Sequence, residues 1–169
     1  KLGAGLINDV RALQREGAPE AAAVAGIPVC LMHIKGEPAT MQERPCYQNL
    51  RREVCAFLAE RVTVAEQAGV RPEHILLDPG FGFGKNLDHN LALLAALEQL
   101  DILGYPLLIG VSRKSMLGQL TGREVGERLP ASLAAATIAA MKGASIVRVH
   151  DVRETVDAVK VATAVKEAG

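Results

Sequence analysis

Ile75-Leu76-Leu77-Asp78-Pro79-Gly80-Phe81-Gly82-Phe83-Gly84-Lys85 is the stretch on which the fold turns. Three apolar residues end on a carboxylate, a proline and three alternate glycines interrupt the chain, and a helical pattern over residues 87–100 follows. The apolar run is too short for a helix and lacks the alternation of a half-exposed strand. It reads as a strand buried on both faces, the habit of parallel sheets. Four further runs of this kind occupy residues 6–7, 27–32, 107–111 and 146–149. Helical patterns lie between them. Over residues 51–68, Val54, Phe57, Leu58, Arg61 and Ala65 keep i, i+3, i+4 spacing until Gly69. Residues 128–142 are rich in Ala, with Pro130 tolerable only in the first turn and Gly143 as the stop. Asp151-x-x-Glu154 predicts a capping box at the start of a last helix, 152–168. The pattern is βα five times over, which implies an α/β fold with a mostly parallel sheet and right-handed crossovers.

Two architectures satisfy that pattern: an open doubly wound sheet, or part of a (β/α)8 barrel. The 169 residues divide into about 34 per unit. Eight such units need roughly 270 residues, near the ~250 typical of a barrel. Periodicity does not choose between the two. No linker, low-complexity tract or repeat divides residues 1–169, so they read as a single domain.

Composition removes several classes of function. Lys plus Arg number 19 and so do Asp plus Glu, a net charge of zero without the basic excess of a nucleic-acid or anionic-membrane binder. The longest near-continuous apolar run, 133–141, is half the ~18 residues of a membrane span, and no basic-then-apolar leader opens the chain. Cys30, Cys46 and Cys55 form an odd set without C-x-x-C spacing, which indicates neither a disulfide framework nor zinc and fits a reducing cytoplasm. With no Trp, three Phe and two Tyr, the core has to be built from aliphatic and Ala side chains.

Each apolar run ends in polar side chains: Asn8-Asp9, His33, Asp78, Ser112 with Arg113 and Lys114, and Arg148 with His150. Ligands bind at the carboxyl ends of parallel strands in either architecture, so these residues are expected to converge on one face. Arg148, between Val147 and Val149, is expected to be buried in its strand and therefore to need a partner. That partner is either a bound anion or a carboxylate, Asp9 or Asp151. His150 lies two residues on and points to the same side, and a phosphate group suits the pair. The glycine loop after Asp78 matches neither a Walker A loop nor a dinucleotide fingerprint. Its glycines permit close approach to a flat ligand, Phe81 and Phe83 are available to wall it, and Asp78 accepts from it. Gly110-Val111-Ser112-Arg113-Lys114-Ser115 runs from a strand into a short helix whose free N–H groups attract anions.

These motifs, together with Ile7-Asn8-Asp9-Val10, Leu31-Met32-His33 and Arg148-Val149-His150-Asp151-Val152, resemble in order the motifs of bacterial dihydropteroate synthases. The resemblance implies a (β/α)8 TIM barrel of the pterin-binding type, with this chain as its last five βα units and the first three outside it. The implied reaction condenses 4-aminobenzoate with 6-hydroxymethyl-7,8-dihydropterin pyrophosphate to 7,8-dihydropteroate and pyrophosphate in folate biosynthesis, the step that sulfonamides target. It also implies roles. Asn8 and Asp78 meet the pterin edge; Met32 and Phe83 are its apolar walls; Gly82 and Gly110 let the backbone close on the ring. Lys114 bonds the pterin and borders the 4-aminobenzoate, whose other contacts are Ser112 and Phe83. Arg148 also contacts the pterin, and together with His150 it holds the diphosphate. Lys114, Arg148 and His150 are the expected catalytic residues, and magnesium is expected to be held by residues outside this chain. Two alternatives stay open: a pterin-binding barrel of a methyltransferase, which needs no diphosphate site, and a non-catalytic binding or assembly fragment. A homodimer is implied as well. Its interface is expected on the helices 128–142 and 152–168, since Ala131, Ala134, Ala135, Ala136, Ala139 and Ala140 leave the former little polar surface, unless Ala there only packs on the sheet.

Overall fold

The five apolar runs form five strands: β1 (Ile7–Asp9), β2 (Val29–Met32), β3 (Ile75–Asp78), β4 (Leu107–Ile109) and β5 (Ala144–Val147). In this computed structural model, which describes residues 3–37, 40–43 and 45–169, all four pairings are parallel and the strand order is 1-2-3-4-5. A doubly wound sheet reverses its order at a switch point; a sequential order is that of a barrel wall. The helices agree. α1 (Ala18–Ala25), α2 (Leu50–Gln67), α3 (Leu87–Ala95), α4 (Ser115–Thr121), α5 (Leu129–Met141) and α6 (Val152–Ala168) follow the strands. Side chains of α2, α3, α4 and α5 join one core with Val29, Leu31, Ile75, Leu77, Leu107 and Ile109 from one sheet face. The chain is thus an open arc of a parallel barrel that these five strands do not close.

The other face of the sheet carries the site. Strand alternation and the register Asn8↔Cys30↔Leu76 and Met32↔Asp78 put those five residues on one side, and Leu108↔Ile146 continues it. Cys30, Leu76 and Leu108 form a small second cluster there with Leu6. This is the inner face of the arc. The middle strands β2, β3 and β4 are buried throughout, as uninterrupted apolar runs require. The edges differ: β1 and β5 are half-exposed, and Ile146 is 41% exposed. Outside the β5 edge, Val147, Val149, Val152, Val156 and Val159 line an apolar groove of about 510 Å³.

Several local expectations are corrected. The helix expected over 87–100 stops at Ala95, and a 3-10 helix, Leu97–Leu103, keeps Leu97 and Leu100 fully buried at i, i+3 spacing. Asp151 begins α6 without capping it, because its carboxylate is turned to Arg113. Arg61, read as one member of the buried stripe of α2, is indeed buried, and for a polar reason. Its Nε and Nη2 donate to the carbonyls of Ala12 (2.8 Å) and Leu13 (3.0 Å), two residues in left-handed backbone. On α5, Ala135 and Ala139 face inward, 4% and 0% exposed, and belong to the core of this chain. They are therefore not the surface of an interface; the large exposed apolar side chains of these two helices are Ile138, Met141, Val152, Val156, Val161 and Val165.

Candidate functional site

Asp78 ends β3 on the inner face, 1% exposed. Its Oδ1 accepts from the Gly80 N–H at 2.7 Å, and its Oδ2 stands 3.8 Å from Nη2 of Arg148. Burial pushes this carboxyl group up, against the Gly80 N–H and the charges of Lys114, Arg148 and Lys85, which pull it down. Of these three basic groups, Arg148 is the one within ion-pair distance of the carboxylate.

Arg148 thus has a carboxylate partner, but neither of those expected. Asp9 folds back on its own turn, accepting from the N–H groups of Arg11 (3.1 Å) and Leu13 (2.7 Å), and Asp151 pairs with Nε of Arg113 at 3.0 Å. Nor is Arg148 buried. It lies just past an edge strand, held by its N–H to the Ile109 carbonyl at 2.8 Å, with its side chain 43% exposed. Gly110 explains how the guanidinium reaches Asp78. This glycine needs no unusual backbone angle, but a Cβ there would stand 2.7 Å from Nη2 of Arg148 and 3.3 Å from Cζ. The missing side chain is the space that the guanidinium fills.

Lys114 approaches from the start of α4. Its Nζ donates to the Phe81 carbonyl and sits 4.9 Å from the centroid of the Phe83 ring. Burial is the main cause that brings its ammonium down to about 8. Gly82, at φ +76°, accommodates the lysine stem, which would lie 3.5 Å from a Cβ, and its N–H donates to Oδ1 of Asn90 at 2.7 Å. Of the two phenylalanines expected to wall a ligand, only Phe83 is available: Phe81 is 0% exposed and packs in the core beneath the helices. Met32 is buried on the inner face beside Asp78 in the register, and Asn8 is exposed on the same face at the β1 edge.

Ser112 is 5% exposed, and its hydroxyl is already engaged: it accepts from the His150 N–H at 3.2 Å and lies 2.9 Å from His150 Nδ1. The turn after it is held from three sides. Arg113 has φ +56°, its N–H donates to Oγ of Ser132 (2.9 Å), its carbonyl accepts from Nη1 of Arg128 (3.0 Å), and its side chain meets Asp151. A non-glycine residue in left-handed backbone costs about 1–3 kcal/mol and persists where its surroundings impose it. Ser132 and Arg128 were not anticipated. They act from 19 and 15 residues along the chain, beyond any local pattern. His33, expected at the ligand face, is instead engaged with Lys85, a loop residue with no expected role, in a buried pair at 2.8 Å.

Among the described residues no three His, Cys, Asp or Glu side chains cluster as metal ligands. Asp78 stands among cations, which would repel a divalent ion. The donor set of this chain by itself does not fit magnesium. Cys30 on the inner face is no nucleophile either: burial, reinforced by Asp78, pushes its thiol up to about 12. No helix among the described residues is long and apolar enough to cross a membrane.

Comparison with known proteins agrees with this geometry. The family described as pterin binding enzyme matches residues 1–150. The dihydropteroate synthase of Escherichia coli strain K12 is 56% identical over 164 residues, which are 97% of this chain and 58% of that protein. That of Haemophilus influenzae is 48% identical over 160 residues, 95% of this chain and 58% of that protein. The crystal structure of Yersinia pestis dihydropteroate synthase with a sulfonamide drug superimposes with a TM-score of 0.97 at 51% identity, covering 99% of this chain and 61% of that one. The Xanthomonas albilineans enzyme with 4-aminobenzoic acid gives 0.90 at 48% identity, covering 97% and 58%. The chain thus spans about three fifths of the length of these relatives. With a family match over residues 1–150, relatives about half identical along nearly its whole length and the sequential parallel arc they share, this chain belongs to the pterin-binding enzyme family.

Proposed function

We propose that this chain supplies the last five βα units of a dihydropteroate synthase, with the first three units completing the barrel. The reaction joins 4-aminobenzoate to the methylene carbon of 6-hydroxymethyl-7,8-dihydropterin pyrophosphate. The observation that carries this reading is Asp78, a buried carboxylate on the inner face within reach of Arg148 and flanked by Lys114. A carboxylate accepts from the N–H donors of an aminopyrimidinone, and the Arg148 guanidinium is suited to pair with a diphosphate. Asn8 takes the remaining polar edge; Met32 and Phe83 are the walls; Gly82 and Gly110 admit Lys114 and Arg148 to the ring.

The chemistry is dissociative. The C–O bond to pyrophosphate breaks first, and pyrophosphate leaves with the electron pair, its charge spread over Arg148 and His150. The methylene cation is stabilised by the pterin ring. The neutral aniline nitrogen, positioned beside Lys114, Ser112 and Phe83, then forms the C–N bond and loses its proton to water. Positioning and electrostatics supply the rate, without a covalent nucleophile. Magnesium, if the complete enzyme uses it beside the diphosphate, takes its ligands from outside this chain, and no step here runs through it. The relatives' complexes with a sulfonamide drug and with 4-aminobenzoic acid support the same substrate class. The three free cysteines support a reducing, cytoplasmic setting, and Ile138, Met141, Val161 and Val165 support a homodimer through α5 and α6. Release of labelled pyrophosphate by the complete barrel in the presence of 4-aminobenzoate tests the reading. Pterin binding without release would leave a binding or methyltransferase-type domain instead.

A further inference from the structure

Lys85 takes no part in the site as proposed, yet it is among the most deeply buried charged groups described, at 2% exposure. Its three hydrogen-bond partners are uncharged acceptors: Nδ1 of His33 (2.8 Å), the Gly80 carbonyl (2.9 Å) and the Phe83 carbonyl (3.2 Å). An ammonium buried among neutral acceptors is expensive, and a methionine of similar length would pack there at lower cost. Burial brings this lysine down to about 7 and the His33 imidazole down to about 3, so His33 is a neutral acceptor to it.

What the ammonium joins suggests its use. Gly80 and Phe83 are the first and last residues of one turn, in which the Phe83 N–H also donates to the Gly80 carbonyl at 3.1 Å. The Gly80 N–H holds the Asp78 carboxylate, and the same turn carries Gly82 and the Phe83 ring under Lys114. A Cβ at Gly80 would collide with the His33 carbonyl, so the turn is pressed against the end of β2, where the His33 N–H donates to the Asp78 carbonyl at 2.9 Å. Nζ of Lys85 is therefore the point at which the end of β2 and both ends of the turn meet.

We propose that Lys85 is a positioning residue: by tying Gly80 and Phe83 to His33, it sets the aim of the Asp78 carboxylate and of the Phe83 ring at the bound pterin, without touching it. This rests on the pterin reading of the site. In the complete barrel, 6-hydroxymethyl-7,8-dihydropterin probes the ring site by calorimetry and inorganic pyrophosphate probes Arg148 and His150. Lys85→Met is expected to weaken ring binding at least tenfold and leave pyrophosphate binding within twofold, with KM for the pterin substrate rising more than kcat falls. A purely structural lysine would lower the melting temperature and leave both affinities intact or lower them together, and either result overturns the inference. Where Lys85→Met does not fold, His33→Ala, which keeps the ammonium and removes one acceptor, is expected to show the same selective loss at about threefold; unchanged ring affinity in that variant overturns the inference. Wild-type protein that binds pyrophosphate and no ring ligand overturns the pterin reading, and the inference with it.

Discussion

Asp78 shows what a single residue contributes here. Its carboxylate is the acceptor expected for the pterin edge, so Asp78→Ala removes a charge-assisted hydrogen bond worth about 1.5–3 kcal/mol and should weaken a pterin ligand at least tenfold; calorimetry with unchanged affinity would exclude the role. Lys85 makes a different prediction. Its folded value of about 7 lies below that of an ordinary lysine, so between pH 7 and ~10.4 the unfolded chain holds a proton that the folded chain lacks. The burial penalty is complete below pH 7, and stability rises with pH through that window, at up to ~1.4 kcal/mol per unit. Lys114, brought down to about 8, adds to the same trend in wild type and in Lys85→Met alike. The melting temperature of wild type relative to Lys85→Met should therefore climb from pH 7 to pH 10, and parallel curves would contradict it. Asp78 was legible as a buried charge that needs a partner because it ends a strand buried on both faces, whereas the same argument misplaced Arg148, whose side chain at the edge strand is 43% exposed. That they are each other's partner was not legible, since their 70 residues of separation are bridged only by the packing of β3, β4 and β5.

At the scale of elements, the turn between β4 and α4 depends on α5. Arg128 crosses α4 at Gly118, where a Cβ would collide with the guanidinium, and from there it donates to the carbonyls of Arg123 (3.0 Å) and Arg113 (3.0 Å). Gly118→Ala should displace Arg128 and, with it, one of the supports of the left-handed Arg113. Ser132→Ala should remove another. Each is expected to cost about 1–3 kcal/mol of stability and to loosen Ser112 and Lys114. The check is a double-mutant cycle: the penalty of Ser132→Ala should shrink when Arg113 is replaced by Gly, which adopts that backbone freely. Equal penalties in both backgrounds would show that the strain is held elsewhere. Helix positions were legible in outline because apolar spacing and glycine stops are local signals. The early end of α3 and the uncapped start of α6 were not, because the burial of Leu97 and Leu100 and the pull of Arg113 on Asp151 are tertiary.

For the whole molecule, the assembly prediction moves to the outward side chains of α5 and α6. Ile138→Glu or Val161→Glu should split the proposed homodimer and leave the fold intact, since each would put an unpaired charge into an apolar contact; sedimentation still showing a dimer would relocate the interface. Ala139→Glu, by contrast, should unfold the chain, because Ala139 is fully buried against its own core. The sequence by itself determined that strands and helices alternate five times, that the sheet is parallel, that polar side chains gather at its carboxyl ends, and which family the motifs resemble. These follow from short-range patterns of burial, charge and backbone freedom. Periodicity left open a doubly wound sheet or a barrel; the motif resemblance implied the barrel, and the strand order of the tertiary structure showed its arc, because strand order and the one-sided placement of helices depend on how the crossovers pack. The tertiary structure alone decided that Arg148 faces Asp78 across Gly110, that Phe81 leaves the ligand face for the core, and that the alanines of α5 turn inward. Each is settled by which surface finds a partner once the arc has curved.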